Sequence, residues 1–193
     1  MKQILRVYKR TVSIVNETSV ELYENLAGSG RGFLLESYDK NYDRYTFFGA
    51  EPQEVITSRE NALVIRRGGR EEVREGNPLS LLKQYYSEFE IHKEADGLNF
   101  SGGLVGNLGY DFVRYTEELP DANADEVGIG TIQMMLMTKF IVVDHIAETM
   151  TAVVLDADSA EGRERALRQA DVLIKRARDR RENKGRQKAF AHD

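Results

Sequence analysis

Two short apolar runs carry polar residues that could together bind a small zwitterion. Residues 33–37 (FLLES) end in a carboxylate and a hydroxyl, and residues 44–49 (RYTFFG) begin with an arginine. If both runs are strands of one hairpin, an acceptor, a hydroxyl and a cation come together at the mouth of an apolar surface. Such a site could hold an ammonium group, a carboxylate and an apolar side chain. The alternative is a β-hairpin whose polar ends only face water.

Further blocks follow these two runs in a characteristic order. A glycine-rich run, residues 101–115 (SGGLVGNLGYDFVRY), leads into residues 118–120 (ELP), and an apolar run, residues 140–145 (FIVVDH), comes later. In order and spacing, the blocks resemble the N-terminal region of anthranilate synthase component I, in the superfamily of chorismate-utilising enzymes. The resemblance covers most of the chain, from about Val20 to Leu155. Aminodeoxychorismate synthases of the folate pathway share parts of the pattern and are the alternative.

The resemblance implies a function for the longer protein. Full-length members convert chorismate to anthranilate and pyruvate in tryptophan biosynthesis, with ammonia that a glutamine amidotransferase subunit (component II) releases. This chain would be the N-terminal regulatory and structural portion, inactive alone and without a cofactor of its own. Chorismate and Mg²⁺ would bind in a C-terminal region that the chain lacks, and L-tryptophan would act as feedback inhibitor. A stand-alone amino-acid-binding module is the third interpretation.

The resemblance also implies the residues of the inhibitor site. The LLES element that contacts tryptophan in inhibitable members is matched here by Leu34, Leu35, Glu36 and Ser37. In that scheme Glu36 accepts from the ligand ammonium, Ser37 hydrogen-bonds its polar end, and a leucine lines the indole pocket. Only one leucine can do so, because neighbouring strand residues face opposite sides. Arg44 is a candidate for the ligand carboxylate, which guanidinium binds bidentately, and its rival role is an ion pair with Glu36.

The rest of the sequence contains no complete catalytic constellation. The glycines of residues 102–109 lack both the GK(S/T) ending of a P-loop and the Rossmann spacing, so close packing of two backbones explains them better. His92, His145 and His192 lie in unrelated predicted elements without the spacing of a helical metal pair. His145 is interpreted as a turn residue. We therefore predict no catalytic residues and no metal site in this chain.

Composition limits the partners and the location. The 193 residues carry a net charge of -5, which gives no reason to expect nucleic acid as a partner. No apolar run approaches the roughly 20 residues that span a bilayer, so no membrane partner is expected. Cysteine is absent, which excludes disulfides and thiolate chemistry. These features, without a signal-peptide core at the start, favour a cytoplasmic location.

Periodicity predicts mostly strands, with few helices. That mixture indicates an α+β architecture, and the family resemblance implies antiparallel sheets packed face to face with peripheral helices. We divide the chain into an N-terminal domain, residues 1–157, and a charged helix with a linker-like tail, residues 158–193. The predicted helices cover residues 19–26 and residues 77–89. A third predicted helix begins with a capping box of Asp158 and Glu161 and ends near Arg181. The predicted strands cover residues 3–14, 33–37, 44–49, 62–66, 71–74, 100–109, 132–143 and 150–155.

Overall fold

A computed structural model describes residues 2–36, 44–93, 100–117 and 130–179. Within these ranges the chain forms eleven β-strands, three α-helices and one 3₁₀ helix. The elements in chain order are β1 (Gln3–Ser13), α1 (Ser19–Ala27), β2 (Gly32–Leu35), β3 (Tyr45–Ala50), β4 (Glu54–Arg59), β5 (Ala62–Arg67), β6 (Arg70–Glu75), α2 (Pro78–Ser87), β7 (Phe89–His92), β8 (Gly103–Leu108), the 3₁₀ helix (Tyr110–Tyr115), β9 (Ile132–Met137), β10 (Lys139–Asp144), β11 (Thr149–Ala157) and α3 (Ala160–Arg178).

The strands form two sheets. The first sheet has the order β2-β3-β10-β11-β1-β7, and the second has the order β6-β5-β4-β9-β8. Neighbouring strands pair antiparallel except for β1 and β7, which run parallel. Both sheets are therefore mostly antiparallel, and the predicted α+β class is confirmed.

The sheets face each other, and helices cover their outer faces. Phe140 and Val153 of the first sheet share a buried cluster with Met137 of the second. On the outer face of the first sheet, residues such as Phe48 pack with α1 and α3. On the outer face of the second sheet, residues such as Ile56 pack with α2. Because successive strand residues point to opposite faces, each strand contributes to two of these cores.

Helix α3 closes the outer face of the first sheet with a narrow stripe of small side chains. Ala166, Ala170 and Ala177 are fully buried, so the helix lies close to the strands beneath it. Arg176 in its last turn donates to the Glu51 carboxylate at 2.7 Å. Residues 160–178 are thus tied into the same layers as the strands that precede them.

One predicted strand is wrong. Residues 132–143 were expected to form a single strand, but they form β9 and β10, which belong to different sheets. Thr138 lies between them, and its carbonyl oxygen accepts from the backbone N–H of Leu155 at 2.8 Å. Residues on both sides of this crossing are buried, and the polar pair Thr138 and Lys139 is too short an interruption to separate two strands by pattern alone.

The beginning of α3 and the end of α2 also differ from the predictions. The N-cap of α3 is Ser159, whose Oγ accepts from the backbone N–H of Gly162 at 3.0 Å, so the predicted capping box at Asp158 is wrong. Asp158 instead pairs with Arg6 at 3.4 Å. Helix α2 ends at Ser87 rather than near residue 89, because the chain continues directly into β7. The sequence did not reveal β4 or β7.

The structural interpretation of the glycine-rich run is confirmed. A Cβ on Gly106 would overlap the carbonyl oxygen of Gln133 on the neighbouring strand β9. The missing side chain lets β8 and β9 pair closely. Among the described residues, no helix has both the length and the apolar character needed to cross a membrane.

Candidate functional site

The two leucines of the LLES element face opposite sides of the first sheet. Strand β2 pairs with β3 so that Leu34 lies opposite Phe48 and Leu35 opposite Phe47. Leu34 packs against the core beneath α1 and α3. Leu35 lies on the face toward the second sheet and remains 52% exposed. Of the two predicted pocket leucines, Leu35 is therefore the one available to a ligand.

Three aromatic residues, which we call the aromatic wall, line the same face: Tyr45, Phe47 and Phe100. The rings of Tyr45 and Phe47 are 6.1 Å apart, and those of Phe47 and Phe100 are 6.0 Å apart and nearly perpendicular. Phe100 also packs at 4.9 Å on Phe140 in the core. All three are partly buried, so they offer apolar edges and faces that suit a flat ring. The alternation of Tyr45 and Phe47 with a strand period signals this wall, whereas no local pattern signals Phe100.

Two of the predicted polar site residues lie at the end of this hairpin where β2 ends and β3 begins. Glu36 directly follows Leu35, the last paired residue of β2, and its side chain is exposed. Ser37 lies outside the described residues. Arg44 directly precedes β3 and is also exposed. The hairpin therefore brings Glu36 and Arg44 to the same end of the first sheet, as the sequence predicted.

The ion-pair partner of Arg44 is Asp144 at the end of β10. Arg44 donates to Asp144 Oδ2 from Nη2 at 2.7 Å and from Nε at 2.9 Å. Its guanidinium carbon lies 5.0 Å from the centre of the Tyr45 ring. Asp144 Oδ1 accepts from the backbone N–H groups of Ile146 at 3.1 Å and Ala147 at 3.0 Å. We call this arrangement the Arg44–Asp144 pair. The sequence did not predict Asp144 as the partner of Arg44, because the pairing of β3 with β10 has no local signature.

The Arg44–Asp144 pair shifts the pKa of each group in the direction that favours its charged form. The hydrogen bonds from Arg44, aided by those backbone N–H groups, hold the pKa of the Asp144 carboxyl below its ordinary value. The hydrogen bonds to Asp144 raise the pKa of Arg44. Both groups therefore remain ionised throughout the neutral range.

The described histidines have structural surroundings. His145 Nε2 lies 2.8 Å from the hydroxyl of the buried Thr46, and its backbone N–H donates to the carbonyl of Arg44 at 2.9 Å. This agrees with its predicted role as a turn residue. His92 lies near the surface carboxylates of Glu90 and Asp158. Nowhere in the described part of the chain do three or more side chains of the metal-ligating types His, Asp and Glu come together in a way that could hold an ion.

A second polar region lies on the opposite side of the molecule. A cleft of about 720 Å³ opens between the β5–β6 hairpin and the end of α2. At its floor the Glu54 carboxylate, with its side chain only 2% exposed, accepts from Arg67 Nε at 2.8 Å and from the Tyr85 hydroxyl at 3.0 Å. We call these three residues the Glu54 cluster. Its charges satisfy one another, so it serves the fold rather than a ligand.

The described residues thus form an α+β fold of two facing, mostly antiparallel sheets, and the aromatic wall, Glu36 and the Arg44–Asp144 pair lie toward one end of the first sheet. No protein-family model matches the chain. Its sequence is 32% identical over 141 residues to anthranilate synthase component 1 of Acetivibrio thermocellus, a match that covers 72% of this chain and 28% of that protein. It is 30% identical over 169 residues to anthranilate synthase component 1 of Acinetobacter calcoaceticus, covering 81% and 34% of the two chains.

The fold is shared with a solved structure. The crystal structure of anthranilate synthase component I from Streptococcus pneumoniae TIGR4 matches 91% of this chain and 38% of that chain, with a TM-score of 0.56 and 22% identity. From the sequence matches, the chain belongs to the anthranilate synthase component I family. It spans about a third of the length of the curated relatives it matches.

Proposed function

We propose that this chain is the N-terminal regulatory and structural part of an anthranilate synthase component I and that it binds L-tryptophan at the end of the β2–β3 hairpin where β2 ends and β3 begins. One observation supports this most: Leu35 of the LLES element lies on the same sheet face as the aromatic wall, directly before Glu36. An apolar surface beside a single carboxylate suits an indole ring with an ammonium group.

The whole protein would catalyse the reaction of the family. It would convert chorismate, with ammonia from a glutamine amidotransferase component II, to anthranilate and pyruvate. The names of the relatives favour this activity over aminodeoxychorismate synthesis. Chorismate and Mg²⁺ would bind in the C-terminal region of the longer protein. This chain alone is expected to form no anthranilate. The cytoplasmic location stays a prediction.

Tryptophan would bind with its polar end toward Glu36 and Ser37. Glu36 would accept from the ammonium group, while Leu35 and the aromatic wall would contact the indole ring. Regulation would follow if tryptophan binds better to a conformation in which the chorismate site is misaligned, because a ligand shifts a population only by its differential affinity. Couplings of this kind are typically about 1–3 kcal/mol.

The test uses the full-length enzyme that contains this chain. Glu36→Gln and Ser37→Ala are expected to raise the tryptophan concentration for half-inhibition by about tenfold, the loss of one hydrogen bond to a charged group. The matched control is Glu24→Gln, which changes an exposed carboxylate on α1. All three variants should keep the kcat of the uninhibited enzyme. Unchanged inhibition in both site variants would show that tryptophan does not bind here.

A further inference from the structure

We propose that Asp144 is a positioning residue that occupies the carboxylate-binding edge of Arg44, so that the site selects its ligand by the ammonium group rather than the carboxylate. The inference rests on the proposed tryptophan site and specifies how that site recognises its ligand. It assigns a role to Asp144 and changes the role that the sequence suggested for Arg44.

The Nε–Nη2 edge of the Arg44 guanidinium, which can bind a carboxylate bidentately, is already in use. Arg44 directs Nε and Nη2 at the Asp144 carboxylate, with distances of 2.7–3.1 Å. This is the side-on fork with which arginine binds carboxylates bidentately. A ligand carboxylate approaching the remaining Nη1 would lie near the negative charge of Asp144. The ligand would therefore gain less from Arg44 than the sequence alone suggests.

Asp144 cannot turn away easily to release Arg44. Its Oδ1 is held by the backbone N–H groups of Ile146 and Ala147, and its side chain is only 14% exposed. The guanidinium of Arg44 is the more exposed partner, at 50%, yet it lies over the ring of Tyr45. The carboxylate is the fixed member of the pair, and it fixes the arginine.

The charges of Glu36, Arg44 and Asp144 together favour a cationic ligand group. The Arg44–Asp144 pair is neutral as a unit, so among the described residues Glu36, Arg44 and Asp144 the net charge is that of the exposed Glu36 carboxylate. The neighbouring His145 is engaged with Thr46. A site with this balance attracts an ammonium group and repels an isolated carboxylate.

Three ligands that share the indole ring separate the possibilities. Calorimetric titrations of the 193-residue chain would compare L-tryptophan, tryptamine, which lacks the carboxylate, and indole-3-propionate, which lacks the ammonium group. We expect tryptamine to bind within about threefold of L-tryptophan and indole-3-propionate at least about tenfold more weakly, the effect of one charge-assisted hydrogen bond.

A variant then tests the role of Asp144. Asp144→Asn removes the negative charge that holds Arg44, so indole-3-propionate should gain about fivefold in affinity while tryptamine does not gain. The matched control is Asp156→Asn. Asp156 on β11 forms a similar fork with Arg165 at 2.7 Å, and its side chain is 16% exposed. The control breaks a comparable pair on the other side of the molecule and should leave the ligand preference unchanged.

The outcomes distinguish this inference from the proposed site itself. If L-tryptophan binds but tryptamine binds at least about tenfold more weakly, Arg44 or another group holds the carboxylate and this inference alone fails. A loss of affinity for all three ligands in Asp144→Asn, with none in the control, would show a merely structural role. If none of the three ligands binds the wild-type chain, the inference and the proposed tryptophan site both fail. Because the wild-type comparison needs no variant, the test holds even if Asp144→Asn does not fold.

Discussion

Replacing Tyr85 with phenylalanine should destabilise the protein measurably, although only one oxygen atom is lost. The Tyr85 hydroxyl donates to Glu54 Oε2 at 3.0 Å, while Arg67 donates to Oε1. The Glu54 side chain is 2% exposed, so water cannot readily replace the lost donor. A hydrogen bond to a charged group contributes about 1.5–3 kcal/mol, and we expect Tyr85→Phe to lower the free energy of unfolding by about 2 kcal/mol.

The neighbouring residue supplies the control. Tyr86 lies on the same helix but is 46% exposed, so Tyr86→Phe should change the free energy of unfolding by less than about 0.5 kcal/mol. Urea titrations followed by circular dichroism would measure both variants. For a domain of this size, the loss of 2 kcal/mol corresponds to a decrease in Tm of about 4–8 °C.

The effect of Tyr85→Phe should also depend on pH. Burial, and next the charge of Glu54, raise the pKa of the Tyr85 phenol above its ordinary value. Above about pH 10 the unfolded chain therefore releases a proton that the folded chain keeps, so the stability of the wild type falls as pH rises. At pH 11 this loss is about 1.4 kcal/mol, and the variant lacks it. The difference between the wild type and Tyr85→Phe should thus shrink to about 0.6 kcal/mol at pH 11.

Two results would refute this reasoning. Equal effects of Tyr85→Phe and Tyr86→Phe near neutral pH would show that the buried carboxylate does not depend on the hydroxyl. A difference that stays constant up to pH 11 would show that Tyr85 is not held protonated by its surroundings.

Two further predictions concern strand packing and a helix cap. Gly106→Ala should lower the free energy of unfolding by more than about 2 kcal/mol, because its Cβ would overlap the backbone of β9, whereas Gly109→Ala has room and should cost less than about 1 kcal/mol. Thermal unfolding would distinguish the two variants, and equal Tm values would contradict the packing argument. Ser159→Ala should lower the stability by about 1 kcal/mol through loss of the α3 N-cap, while Asp158→Ala at an exposed ion pair should cost less than about 0.5 kcal/mol. If urea titrations showed a larger loss of stability for Asp158→Ala than for Ser159→Ala, Asp158 would be the N-cap after all.

The sequence predicted most elements of the fold where one physical signal dominates. The hairpin around Gly68 and Gly69 was predictable because that pair tolerates the positive φ of a tight turn, and both residues have positive φ in the structure. Helix α2 was predictable because Asn77 caps it and Pro78 begins it. The crossing at Thr138 was not predictable, because it is set by the long-range pairing that places β9 in one sheet and β10 in the other.

In the candidate site, too, local features were predictable from the sequence and long-range pairings were not. The sequence placed Leu35, Glu36 and Arg44 together because a hairpin joins neighbouring segments of the chain. It could not place Asp144, which is 100 residues from Arg44 in the chain and reaches it only through the pairing of β3 with β10. Long-range partners of this kind carry no local signal, and here such a partner changes the role suggested for a residue of the site.

The measurement that tests the central claim most directly is a calorimetric titration of the 193-residue chain with L-tryptophan, with L-phenylalanine and chorismate as controls. We predict saturable binding of L-tryptophan alone, weakened by Glu36→Gln and unaffected by Glu24→Gln. Equal binding of L-phenylalanine, or tryptophan binding that Glu36→Gln leaves unchanged, would contradict a tryptophan site at the end of the β2–β3 hairpin.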